Sequence, residues 1–193
     1  MPDATELTTT ADLKVMLGIG AGTSSDALLA LVKAQVEAWA KTFTGRDLLV
    51  DTYTEYQDGS GSNQLRTLQR PVISVTSIHS DPARLFDAAS LIPASDIIGD
   101  ARSYALGYVE LLTYKYLKGL KSTKIVYTAG YPTIPADLAG AVRSIIAKQF
   151  KVASKQLYGE VSHQVGDMNI NMSVDTFPKD ALQVLNGYRR MDF

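Results

Sequence analysis

Read by the spacing of its apolar positions, the chain opens helical, turns to strand and ends helical again. Thr9 or Thr10 can cap a short helix running through Leu17, with Gly18 placed to end it. After a Gly/Thr/Ser loop, Ser24 or Ser25 can cap a second helix. Its Leu29, Val32, Val36, Trp39 and Phe43 are spaced 3, 4, 3 and 4, and Gly45 is its natural C-terminal cap. From Leu48 the period shortens. DTYTEYQ and NQLRTL predict two strands around a turn at Asp58, Gly59, Ser60, Gly61 and Ser62, and Pro71 opens a third strand, VISVTSI. Residues 80–103, with Pro82 and Pro93, are irregular and accommodate a short helical turn near Ala88. YALGYVELLTY and STKIVYT predict a second hairpin.

The most informative stretch is IVYTAGYPTIPADLAGAVRSIIAKQF, Ile125 to Phe150. It predicts a strand, a corner broken by Gly130 and Pro132, and an amphipathic helix from about Pro135 to Leu157. Asp137 sits in that helix's first turn, and Leu138, Val142, Ile145 and Phe150 recur at helical spacing. This helix and the one bearing Trp39 each have one apolar face, so they should pack together. Beyond Gly159, Met168, Ile170, Met172 and Val174 alternate with Asn169, Asn171, Ser173 and Asp175, a strand pattern with no obvious partner strand. Pro178 opens a last helix, DALQVLNGY. The fold class is α+β: a helical core of three to four helices, inserted antiparallel β-hairpins and an extended C-terminal arm. The corresponding segments are 1–47 (N-terminal helices), 48–131 (β region), 132–158 (long core helix) and 159–193 (strand and short-helix arm).

Composition narrows the function classes. In 193 residues, 46% are hydrophobic and 20% charged, enough to bury a proper core. The absence of cysteine excludes a disulfide framework, a thiolate metal site and a Cys nucleophile. No signal-peptide pattern opens the chain, and no apolar run approaches the roughly 20 residues that span a bilayer. The expectation is a soluble protein made in a cytoplasm, with no membrane partner. Net charge is −1, but residues 1–60 hold nine acids and four bases while the rest holds eleven acids and fifteen bases. Chance variation on a solvated surface accounts for this; so does head-to-tail association of an acidic face with a basic one.

Catalytic chemistry is not legible. Gly18, Gly20 and Gly22 follow a helix rather than a strand, and no Lys follows them, so they form neither a dinucleotide fingerprint nor a P-loop. His79 and His163 are far apart, Asp96 and Asp100 are too sparse for a Ca²⁺ loop, and there is no G-x-S-x-G elbow. No catalytic, metal or cofactor residues are assigned. Lys115, Lys118, Lys121 and Lys124 lie beside Tyr114 and Tyr116, with no acid between Glu110 and Asp137. The simpler reading of this hairpin, 114–124, is a tip kept soluble by lysine; because Lys and Tyr can hold phosphate and stack bases, the alternative is a nucleic-acid-binding module. Lys148, Lys151 and Lys155 share a face of the long helix, normally the solvent side, which in a ring can face a channel or a neighbour.

Several patches in order carry a resemblance: LTTTADLKVMLGI, the helix ending in FTGRDLL, YQDGSGSNQLRTLQRPVISVTSI, IVYTAGYPTIPADLAGAV and the terminal LNGYRRMDF. Together they resemble the head–tail connector, or adaptor, family of tailed double-stranded DNA phages, over nearly the whole chain. The resemblance implies a non-catalytic structural protein of the virion neck, assembled from the host cytoplasm. It implies a ring of copies under the portal protein, matching its twelve-fold symmetry. Such a ring extends the DNA channel, lets DNA pass without specific binding and presents a surface to a stopper or tail protein. By the same analogy, residues 160–193 are expected to grip the portal or a neighbouring subunit. The gripping residues are Met168, Ile170 and Met172 on the strand, and Leu182, Leu185, Tyr188, Arg189 and Arg190 on and after the last helix.

Overall fold

A computed structural model describes residues 4–20, 22–155, 162–165, 168–171 and 177–190. The chain divides into two compact units: residues 1–5 with 46–133, and residues 6–45 with 134–193. The inserted β region is thus the body of one unit, and the helices before and after it make the other.

The helical unit contains α1 (Thr10–Leu17), α2 (Asp26–Thr44), α4 (Ala136–Ser154) and α5 (Lys179–Gly187). The expected caps are mostly present. Thr9 accepts the Asp12 amide, and Gly18 and Gly45 end their helices in the left-handed region at φ 66 and 68. Ser25 precedes α2 but makes no side-chain cap. Its backbone is already helical there, whereas a capping residue is typically extended. α2 packs on α4 as expected, and each buries an apolar stripe: Leu29, Val32, Val36 and Ala40 on α2, and Leu138, Val142, Ile145 and Phe150 among others on α4. Trp39 is only half-buried, stacked between Phe43 at 4.9 Å and Phe177 at 4.2 Å. The small side chains of Ala40 and Thr44 take the enclosed positions instead.

The β unit holds two three-stranded antiparallel sheets. One has the order β1 (Asp51–Gly59), β6 (Gly119–Ala129), β3 (Val72–Ser80); the other β2 (Gln64–Arg66), β5 (Tyr108–Leu111), β4 (Ile97–Ile98). This corrects both predicted hairpins. β1 does not pair with β2, and β5 does not pair with β6. β6 has eleven residues, and its Thr, Ile, Val and Tyr suit a central strand, so both nine-residue strands pair with it. Tyr127 of β6 lies opposite Tyr53 on one side and Val75 on the other, and Ile125 opposite Glu55 and Ile78. Leu65, Ile78, Val109, Leu111, Tyr116, Ile125 and Tyr127 make the core. The irregular segment contains the expected turn, Ala88–Ser90, a second one, Ala94–Asp96, and a helix α3 (Ala101–Leu106).

In the C-terminal segment the supposedly unpartnered strand has a partner. β8 (Met168–Asn171) pairs antiparallel with β7 (Ser162–Val165), Ser162 opposite Asn171 and Val165 opposite Met168. The premise that its backbone groups need another chain therefore does not hold for these residues. Leu157, Gly159, Met172 and Val174 lie outside the described residues.

Candidate assembly surfaces

The basic segment forms the tip of the β unit, built by three loops. The Gly61 amide donates to the Tyr116 carbonyl at 2.7 Å, the Lys121 amide to Asp58 at 2.8 Å and the Asp81 amide to the Ser122 carbonyl at 2.7 Å. Ser80 Oγ accepts the Leu117 amide at 2.8 Å, and Ser122 Oγ donates to the Leu117 carbonyl at 2.7 Å. Gly59 is required in this weave: a Cβ there would lie 1.7 Å from the Leu117 carbonyl oxygen.

On this tip Lys115, Lys118 and Lys121 are exposed, and Lys124, inside β6, is half-buried. The two tyrosines part company. Tyr114 is half exposed, but Tyr116 is fully buried, its hydroxyl donating to the Val109 carbonyl at 3.2 Å. Burial pushes its pKa up, helped by nearby Tyr104 and Asp96. Tyr116 is a core residue, so the stacking pair needed by a nucleic-acid module is not formed. Asp96 is likewise structural, accepting the Thr113 and Tyr114 amides at 2.8 and 3.0 Å, and Asp100 caps α3. His79 lies 3.2 Å from both the Asp87 carbonyl and Ser90 Oγ.

A buried carboxylate, which the sequence reading missed, organises the rest of this unit. Glu55 accepts the Leu68 amide at 3.2 and 3.1 Å, Gln57 Nε2 at 2.6 Å and the Tyr127 hydroxyl. The same tyrosine oxygen accepts the Gln69 amide at 2.9 Å. Burial, then the Glu55 partner, push the Tyr127 pKa up. In the sequence Glu55 is merely an acid between Thr54 and Tyr56 in a strand pattern; its burial depends on β6 lying beside it.

In the helical unit Lys148 is half-buried on α4, Lys151 is exposed on it, and Lys155 is exposed just past its end. α5 is packed rather than free. Leu185 is fully buried and Ala181 nearly so, against α4 and α2. The Tyr188 hydroxyl donates to both Asp137 oxygens at 2.8 and 2.9 Å, holding that carboxyl below its usual pKa. The Arg190 amide donates to the Thr44 carbonyl at 2.7 Å, and the Arg189 guanidinium lies 5.9 Å from the centre of the Phe43 ring. Leu182 is half-buried. Of the expected gripping residues, Leu185 and Tyr188 thus serve the chain's own fold, Met168 and Ile170 lie on β8, and Met172 is outside the described residues.

The proposed acidic and basic ends also dissolve in three dimensions. The β unit carries ten acids and nine bases, and the helical unit ten of each. Residues 1–60, acidic as a run of sequence, are shared between the two units. Among the described residues no cluster of three His, Asp or Glu side chains can hold a metal, and no helix is long and apolar enough to cross a membrane.

The model of the head completion protein family matches residues 6–191. The chain belongs to that family, in agreement with the resemblance carried by its sequence patches. Among solved structures the fold is similar to a chain in the neck of a native gene transfer agent particle computed with C12 symmetry. That match has TM-score 0.57 and 18% identity, covering 95% of this chain and 88% of that one. It is also similar to a chain in the neck of the empty particle computed with C6 symmetry, with TM-score 0.56, 20% identity and coverage of 95% and 89%. No curated protein matches the chain.

Proposed function

We propose that this chain is a structural, non-enzymatic protein of the virion neck. Copies form a ring that joins the portal vertex to the stopper or tail and continues the DNA channel. The family match across residues 6–191 carries this reading. The fold shared with chains from particle necks supports it, and the symmetries imposed on those necks, C6 and C12, favour a ring of twelve copies. A ring needs a heterologous contact that closes on itself. With the two units nearly neutral, that contact rests on shape and apolar area more than on opposed net charges. Near-neutrality also suits a conduit, because a strongly basic lumen would retain DNA. Lys151 and Lys155 remain candidates for a channel-facing or neighbour-facing strip. Met168, Ile170, Met172, Leu182, Arg189 and Arg190 remain candidates for contact with the portal or the adjacent subunit.

The test is complementation. Heads packaged without this protein should accept the purified chain and then join tails to give infectious particles. Heads that join tails equally well without it would refute the reading.

A further inference from the structure

We propose that the tip of the β unit, formed by residues 58–62, 81–86 and 112–121, docks onto an acidic and apolar patch of a different protein of the particle. This rests on the neck reading above and assigns a partner chemistry to one surface. Three observations lead to it.

The first is charge. The tip carries Arg84, Lys115, Lys118 and Lys121 against two carboxylates, and both of those are turned onto backbone amides. Asp58 accepts from Lys121, and Asp81 accepts from Ala83 at 2.8 Å, Leu85 at 2.6 Å and Phe86 at 3.1 Å. The second is apolar exposure. Leu85 is 75% exposed, Leu120, at the start of β6, 69% and Leu117 48%, on segments joined by the Asp81–Ser122 and Leu117–Ser80 hydrogen bonds. One exposed leucine is ordinary, but three on a single tip make a contact patch. The third is preorganisation. The Asp81 bonds hold Arg84 and Phe86 at φ 62 and 50, and the Phe86 ring is fixed 5.5 Å from Tyr56 and 6.5 Å from His79. Leu85 is thereby presented on a loop that has little left to order on binding.

Cations around leucines suit a protein patch of opposite charge, with an apolar centre and a charged rim. Nucleic acid fits less well, because Tyr116 is buried and leucines offer no stacking face. A second copy fits less well too. Among the described residues of the helical unit the most exposed large apolar side chain, Val15 at 83%, sits on α1, where Asp12 is paired with Arg143, and Asp26 at the start of α2 is paired with Lys14.

Two full-length double variants test this: Leu85→Ser with Leu120→Ser, and Lys115→Glu with Lys121→Glu. All four side chains are exposed, so melting temperature and oligomer mass by light scattering should match wild type. The probes are DNA-filled heads lacking this protein, purified tails, and a 30-base-pair duplex. Both variants should lose at least about tenfold in the same joining step, to heads or to tails. Unchanged joining in both steps would overturn the proposal. So would a changed oligomer mass, which would make the tip a contact between copies, or an effect confined to duplex binding. A variant that melts early is replaced by Leu85→Ala or Lys121→Gln, read in the same way. If wild-type chain itself fails to join heads, the neck reading fails rather than the tip assignment.

Discussion

Truncating Leu185 tests whether the last helix belongs to the fold or is an arm held ready for a partner. The side chain is 0% exposed, enclosed where α5 meets the other helices of its unit. Leu185→Ala removes three carbons from a fully enclosed site, about 2.4 kcal/mol of transfer free energy at roughly 0.8 kcal/mol per methylene. α5 is tethered at one end by the Tyr188–Asp137 bonds and just beyond by the Arg190–Thr44 bond, so collapse into the void is limited. A residual cavity adds about 1 kcal/mol, for a total of about 3–4 kcal/mol. Trp39, the chain's single tryptophan, stacks on Phe177 just ahead of α5, so its fluorescence during urea titration reports this unit. The midpoint should fall with little change in slope. Leu185→Val should lose much less, which keeps the test readable if the alanine variant does not fold. A loss below about 1 kcal/mol for Leu185→Ala would show that α5 is not docked in solution and would restore the free-arm reading.

Three further outcomes follow from the geometry. Gly59→Ala should destabilise the β unit by about 2–3 kcal/mol, because its Cβ would overlap the Leu117 carbonyl; a neutral result by thermal melting would contradict the interlocked tip. Asp96→Ala should cost about 1–3 kcal/mol by orphaning the Thr113 and Tyr114 amides, with Asp96→Asn milder because one acceptor remains; equal losses would show that the carboxylate's hydrogen bonds are not what matters. Asp137 has a lowered folded-state pKa, from the Tyr188 hydroxyl first, so its contribution is present above the unfolded pKa and lost as pH falls through the folded one. Tyr188→Phe should therefore lose less stability between pH 7 and pH 3 than wild type does; parallel melting curves for the two would rule this out.

Local signals were legible in the sequence where they are set by near neighbours. Thr9, Gly18 and Gly45 marked helix ends because capping is decided within one turn. The Gly130–Pro135 corner and α4 were legible for the same reason. Strand pairing was not, because a three-residue run such as β2 carries no mark of its partner, and β6 competes for β1 with more backbone bonds. The roles of Glu55 and Tyr116 also depend on long-range placement, so each reads as a surface residue until its sheet is assembled. The same holds for the last helix. Its apolar stripe was visible, but a stripe does not say whether it faces its own chain or another. The family assignment survived these errors because it rested on the order of many patches and not on any one pairing.

The most direct measurement is a cryo-electron microscopy reconstruction of the intact particle's neck. The account predicts this chain as a closed ring of twelve copies around the DNA channel, between portal and tail. It also predicts α5 seated on each subunit's own helices and the 81–86 and 112–121 loops against an acidic surface of another protein. A neck without this chain, or one in which it sits off the channel axis as an isolated monomer or two-fold dimer, would contradict it.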